Sequence, residues 1–344
     1  MPLFSIIVGG LTGKIIGLAL LILLGIGGYF GYTYSQKTPP ELIVGIITDI
    51  DHCPSREAAS FTNLDVFLKD LTLRPTDFVV SLGDNASHRL RECSDTGDMD
   101  ARAIAEKIRS SGLPSYFVLG DHDIASDVQS YQAWLETARV EKTYSSFDVE
   151  NVHVIILDTV LGGEPLSPPC KEIEACKVLE DRKGELKNLS FEEYRKKYGD
   201  ASHDPKGEKN SLEEKLEVWH KKINETRSWG VRDRGRIGGE QLEWLREDVE
   251  DTSLDRILVL SDHPLFTFTS HRKTYDIESG DKVREILEGS GKQVVAISGE
   301  AHLWHEEKRN GIQYYIVDEF KKLNGSWAFF TWKEDGYTFE KITH

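Results

Sequence analysis

RILVLSDH, residues 256–263, runs a strand-length apolar stretch into an Asp-His pair that begins where the stretch stops. Four other stretches are built the same way. ELIVGII leads into TDIDH at 48–52, TDFVV into SLGDN at 81–85, SYFVL into VLGDHD at 118–123, and VVAIS into GEAHLWH at 299–305. Short apolar runs bounded by turn formers read as strands buried on both faces. In an α/β sheet, ligands collect outside the carboxyl ends of such strands. Five strand ends carrying carboxylates and imidazoles therefore predict an α/β fold with one polar site assembled at those ends. Taken singly, an Asp after a strand is a turn former and a His such as His263 a hydrogen-bonded core residue, so the inference rests on the five together.

Helices fill the intervals. SREAASFTNLDVFLKDL spaces Ala58, Phe61, Leu64, Phe67 and Leu68 at helical intervals, and a second helix is expected around 99–110. Strand and helix alternate to about residue 140, which favours a sheet with helices packed on it. TYSSFDVENVHVIILD then reads as a hairpin turning at Glu150 and Asn151. Residues 162–236 are crowded with Lys and Glu, and Ser211 with Glu214 forms a capping box ahead of Leu212, Leu216, Trp219 and Ile223 at helical spacing. This stretch is expected to be a charged helical insertion that caps the site. GGEQLEWLRED and residues 281–289 predict two more helices, and GIQYYIVD, SWAFFTW and GYTFEKI predict strands in the far part of a two-sheet sandwich.

At the other end, residues 15–34 (IIGLALLILLGIGGYFGYTY) form an uncharged run. Its length matches the roughly 20 residues a helix needs to cross a bilayer. A transmembrane anchor is expected here, after a segment at 1–14 and before a Pro-stiffened linker at 35–41, with the domain at 42–344. A buried core helix would be shorter or one-sided, and no small-x-small pattern follows the run to mark a cleaved signal. Lys14 faces only Lys37 across it, and the orientation expected is a single-pass cell-membrane protein with its domain outside the cytoplasm. A net charge of -16 argues against duplex nucleic acid or an anionic membrane surface as partner. Four cysteines, Cys53, Cys93, Cys170 and Cys176, allow three pairings. Cys53 with Cys93 and Cys170 with Cys176 is the economical pattern and suits an oxidising exterior; four free thiols in a cytosolic protein is the alternative.

The order Asp-x-x, Gly-Asp, Gly-x-His-Asp, a lone His after a strand, then Gly-x-x-His resembles the calcineurin-like metallophosphoesterases over most of 42–320 outside the insertion. YSSFDVENVHVIILDT and GGEQLEWLRED are similar to segments of the manganese-dependent branch acting on nucleotide diphosphates and other phosphodiesters. The resemblance implies a four-layer α/β/β/α sandwich with two metals at the strand ends. It puts the first metal on Asp49, Asp51, Asp84 and His302, and the second on Asp84, Asp121, His263 and Glu300. His52 is an alternative to Asp51, and His305 to His302. It casts His122 as the group that protonates the leaving oxygen, oriented by Asp123. The chain departs from the family pattern, which has His at the places of Asp51 and Glu300 and Asn at that of Asp121. All three replacements can still ligate metal.

The activity implied is hydrolysis of a phosphomonoester or phosphodiester by metal-activated water, the substrate being a small molecule, nucleotide or lipid headgroup. Two divalent ions can clamp the attacking and leaving oxygens together. The alternative is a metal- or phosphate-binding protein on the same fold with altered catalysis. Five carboxylates against two imidazoles favour hard ions, manganese or magnesium ahead of iron, calcium or zinc.

Overall fold

Side-chain alternation along the first strand decides the layering. In β1 (Leu42–Ile47), Leu42, Val44 and Ile46 point into one apolar cluster and Ile47 into another. β1 pairs in parallel with β2 (Phe78–Ser81), and β2 with β3 (Ser115–Phe117). On the other side of β1 lies β12 (Ser326–Lys333), antiparallel, followed by β13 (Gly336–Thr343). The second sheet has the order β10-β11-β9-β6-β5-β4. Its strands are β4 (Ser145–Val149), β5 (Val152–Ile156), β6 (Arg256–Ser261), β9 (Gln293–Ser298), β10 (His305–Arg309) and β11 (Ile312–Ile316), the central four running parallel. A two-stranded ribbon, β7 (Phe268–Ser270) with β8 (Lys273–Tyr275), follows β6.

Three apolar clusters bind these layers. Val44, Ile46, Phe78, Val80 and Val118 of the first sheet meet Val154, Ile156, Leu258, Leu260, Val295 and Ile297 of the second. On the outer face of the first sheet, Ile47 and Val79 pack against Leu64 and Phe67 of α1 (Ala59–Thr72), Ile104 and Ile108 of α2 (Gly97–Arg109) and Trp134 of α3 (Val128–Ala138). On the outer face of the second, Ile257 and Val259 pack against Leu245 and Val249 of α4 (Gly239–Asp251) and Val283 and Leu287 of α5 (Gly280–Gly289). The result is the predicted α/β/β/α order. Burying one Val, Leu, Ile or Phe side chain is worth about 1.5–3 kcal/mol, so these clusters are what holds the polar strand ends in register.

This computed structural model describes residues 41–53, 59–87, 97–124, 128–164, 235–270, 273–275, 277–321 and 325–343. The expected anchor at 15–34 and nearly all of the expected insertion lie outside them. Among the described residues no helix is long and apolar enough to cross a membrane. Leu42–Trp332 with Tyr337–His344 form one compact unit that contains every site residue discussed below. The second unit contributes, among the described residues, Glu41 and the turn at 333–336, where Lys333 lies 3.9 Å from Glu41.

Two features go beyond the sequence expectation. The last strands divide between the sheets: β11 joins the second beside β9, whereas β12 and β13 cross to the first. Flanked by β1 and β13, β12 is buried over most of its length. β10, HEEKR, was not expected as a strand at all. It closes an edge of the second sheet, where charged side chains face water and discourage pairing with other chains.

Candidate metal centre

The loops after β1 and β2 run side by side. The amides of Asp49, Asp51 and His52 donate to the carbonyls of Gly83, Asp84 and Asn85 at 3.2, 2.7 and 3.0 Å. A third segment, after β11, joins them through Phe320 N–H to Thr48 and Lys321 N–H to Asp49, at 3.0 and 3.2 Å. To aim inward from these loops, Asp49, Asp51, Asp84, Glu300 and His302 all take left-handed backbone, with φ between 46° and 59°. For a non-glycine residue that costs roughly 1–2 kcal/mol, and such strain is concentrated at functional sites. Close approach explains two glycines. A Cβ on Gly83, itself at φ 114°, would strike Asp262 Oδ1, and one on Gly120 would strike the Asp84 backbone.

Four overlapping groups of ligand atoms, each within 4.8 Å of one another, occupy this pocket: Asp49, Glu300 and His302; Asp51, Asp84 and His122; Asp121, His263 and Glu300; and Asp84, Asp262 and Glu300. Glu300 belongs to three of the four, so its carboxylate lies at the middle of the cluster. Asp49, Asp121 and Asp262 are completely buried and Asp84 nearly so. Asp84 Oδ1 accepts the amide of His122 at 2.8 Å, but Oδ2 has no hydrogen-bond partner. Asp262 Oδ2 lies 3.1 Å from His263 Nδ1, yet neither Asp262 oxygen meets a donor in hydrogen-bond geometry. Burial, reinforced by the neighbouring carboxylates, pushes both Asp84 and Asp262 well above the usual carboxylate range. An unpaired buried charge costs several kcal/mol. Orphaned carboxylate oxygens converging from several loops are what hard divalent cations satisfy, and the donor set fits such ions.

The imidazoles are held from behind. His263 Nδ1 meets Thr159 Oγ1 at 3.1 Å, and the same hydroxyl accepts the His263 amide at 3.0 Å. His263 can therefore join Asp121 and Glu300 through Nε2. Thr159 is fixed in turn by buried Asp158, which accepts Val160, Leu161 and Gly163 amides and the Thr143 hydroxyl. His302 Nε2 lies 2.9 Å from Asp49 Oδ1. The alternatives point elsewhere: the His52 ring stands edge-on to Phe61 at 4.5 Å, and that of His305 lies against Phe268 at 4.7 Å. Neither joins a ligand group.

His122 Nδ1 bonds to Asp51 Oδ1 at 2.7 Å, and its Nε2 lies 3.7 Å from Asp121. Although burial opposes it, the charges of Asp84, Asp51 and Asp121 push this imidazole up to about 10. Asp51 in turn, against the effect of burial, is held down at about 2 by His122 and Lys321. The expectation that Asp123 orients His122 does not hold. The Asp123 carboxylate accepts the amides of Gly120, Asp84, Asn85 and Ala86 at 2.9, 3.0, 2.7 and 3.3 Å, so it fixes the Asp84 turn. The partner of the His122 ring is Asp51.

Sequence reasoning also passed over Asp262, Asp158 with Thr159, and Lys321. The first stood inside a quoted motif, and its burial at the end of β6 was a usable signal. Lys321 lies beyond the last motif and carried none. Cys53, just past the β1 loop, is disulfide-bonded, and among the described residues no cysteine is free. Its partner, Cys93 by expectation, is outside the described residues.

No protein-family model matches the sequence, and no curated protein matches it. Among solved structures, the chain is similar to a dimetal phosphatase from Danio rerio at 16% identity and a TM-score of 0.59, over 88% of this chain and 98% of that one. It is also similar to a purple acid phosphatase from seeds of yellow lupin (Lupinus luteus), at 12% identity and a TM-score of 0.53, over 88% of this chain and 52% of that one. At these identities the likeness is one of fold.

Proposed function

We propose that this chain, which carries the calcineurin-like metallophosphoesterase fold, is a metal-dependent hydrolase of phosphoric monoesters or diesters. The observation that carries the proposal is the set of buried carboxylates around Glu300, with Asp84 and Asp262 oxygens turned inward without donors. Asp49, Asp84, Asp121, Asp262, His263, Glu300 and His302 would hold two divalent ions. When bound, such ions clamp the phosphoryl oxygens and bring the pKa of water toward neutrality.

The chain's own residues supply the rest. Asp123 and Thr159 hold Asp84 and His263 at fixed angles. Asp51 takes the Nδ1–H of His122, so a proton on Nε2 is the one aimed into the pocket. From there it passes to the leaving oxygen, which is general acid catalysis. Substrate class remains as broad as the chemistry: a small phosphoester, a nucleotide or a lipid headgroup.

The ions are read as manganese or magnesium. With Asp51, the five ligand carboxylates balance two divalent ions, the Lys321 ammonium and a protonated His122. A carboxylate-rich donor set favours hard ions over zinc and makes bound water less acidic. Stripping the protein with chelator should abolish hydrolysis of a generic phosphodiester. Mn²⁺ or Mg²⁺ added back should restore it with an alkaline optimum, and best turnover with Zn²⁺ near neutrality would refute the assignment. Metal uptake with no hydrolysis across a panel of phosphoesters would favour a binding protein on this fold.

Residues 15–34 are read as a membrane anchor, supported by their uncharged length, and the domain as extracytoplasmic, supported by the disulfide at Cys53. Thiol labelling of unfolded, unreduced protein should leave all four cysteines unmodified. Labelling of all four would return the domain to the cytoplasm.

A further inference from the structure

Asp51 stands where the family pattern has a metal ligand, yet both its oxygens are engaged by cationic partners. Oδ1 takes His122 Nδ1 at 2.7 Å, and Oδ2 takes Lys321 Nζ at 2.5 Å. The lysine is built in. Its own amide bonds Asp49, the Phe320 amide bonds Thr48, and the fully buried Phe320 ring packs edge-on to Phe67 at 6.3 Å. A second carboxylate, Glu319, lies 3.3 Å from the same Nζ. The ammonium is thus located by the backbone and apolar core behind it and by carboxylates in front.

We propose that Lys321 is a resident counter-cation that withdraws Asp51 from metal ligation. The metal place beside Asp49 then holds its ion more weakly than the place beside Asp121. This rests on the two-metal reading above. A divalent ion on Asp51 would share one carboxylate with an ammonium that Glu319 also holds, and like charges at that separation repel strongly in a poorly hydrated pocket. Lys321 is a positioning residue in this scheme, acting on metal and on His122 through Asp51.

The test is Mn²⁺ titration calorimetry on the full-length chain, with bound metal counted by elemental analysis and folding checked by circular dichroism. The wild type should take up one tight and one weak equivalent. Lys321→Met should tighten the weak one by roughly tenfold or more, because Asp51 is released to it. Lys321→Arg, which keeps the ion pair, should match the wild type. Asp51→Asn should keep both equivalents, weakened by no more than the roughly 10- to 100-fold of an outer-shell change. The Lys321→Met tightening should vanish in the Asp51→Asn background.

Loss of an equivalent in Asp51→Asn, an unchanged weak site in Lys321→Met, or tightening that persists in the double variant would each overturn the inference alone. A wild type that takes up no Mn²⁺ would overturn the metal reading and this inference with it. If Lys321→Met fails to fold, Asp51→Asn decides: two retained equivalents support the proposal, and one overturns it.

Discussion

Asp84→Asn should remove metal-dependent turnover and, in the absence of metal, make the protein more stable. Asp84 belongs both to the group with Asp51 and His122 and to the group with Asp262 and Glu300, so its carboxylate serves both sides of the pocket. Asn fills the same space and still accepts the His122 amide, but loses the charge. Metal ions contribute several kcal/mol to phosphoryl-transfer transition states, so the expected fall is roughly a thousandfold or more. The stability effect has the opposite sign. Burial holds Asp84 well above its ordinary value of 3.8 in the folded protein. A group with a raised folded pKa adds stability below its unfolded pKa, and that contribution is lost as pH rises through the folded value. At neutral pH the metal-free wild type therefore bears the cost of either keeping Asp84 protonated or burying it as a repelled anion, a cost the Asn variant lacks. Thermal unfolding in chelator should show a higher Tm for the variant, by about 2–4 °C per kcal/mol relieved, and saturating Mn²⁺ should reverse the order. A variant that keeps turnover, or melts lower without metal, would refute this.

His122→Ala should slow hydrolysis by roughly 100- to 10,000-fold, the span of general acid catalysis, while metal content stays at the wild-type level. The ring is tied to Asp51 through Nδ1, and its backbone amide bonds Asp84 Oδ1. The second contact survives truncation to Ala, so the Asp84 turn should keep its place. The loss should be smaller for substrates with acidic leaving groups, which need less protonation. Elemental analysis alongside initial rates separates the roles: a site emptied of metal in His122→Ala would make the residue a ligand.

The strand ends were legible because they repeat one local pattern. Apolar runs that stop at Asp49, Asp84, Asp121, Asp262 and Glu300 predict an α/β fold with its pocket at the strand ends, and the four-layer order is what the family resemblance implies. What adjacency could not resolve was which neighbour turns inward. In LSDHP (260–264) and GDHD (120–123) two or more polar residues stand side by side; backbone dihedrals and a remote hydroxyl on Thr159 decide their aim. Asp123 was misread for that reason, since its amide partners lie 37 to 39 positions away or across a tight turn. Lys321 was invisible because the acidic residues just before it, Asp318 and Glu319, let it read as an ordinary local ion-pair partner. The partner, Asp51, is 270 residues earlier. The sheet that β12 joins was not legible, because strand propensity says nothing about which sheet a strand enters.

The ligand groups draw on two sheets packed through their inner faces: Asp49, Asp84 and Asp121 follow strands of one, Asp262, His263, Glu300 and His302 strands of the other. Neither half can offer a full coordination sphere by itself. Contacts between residues this far apart in sequence form late and slowly, so an ion arriving during synthesis finds no high-affinity place until the C-terminal half has emerged and docked. Metal capture is then a latch on the finished sandwich: it cannot seed folding, but it lowers the rate at which the two sheets part again.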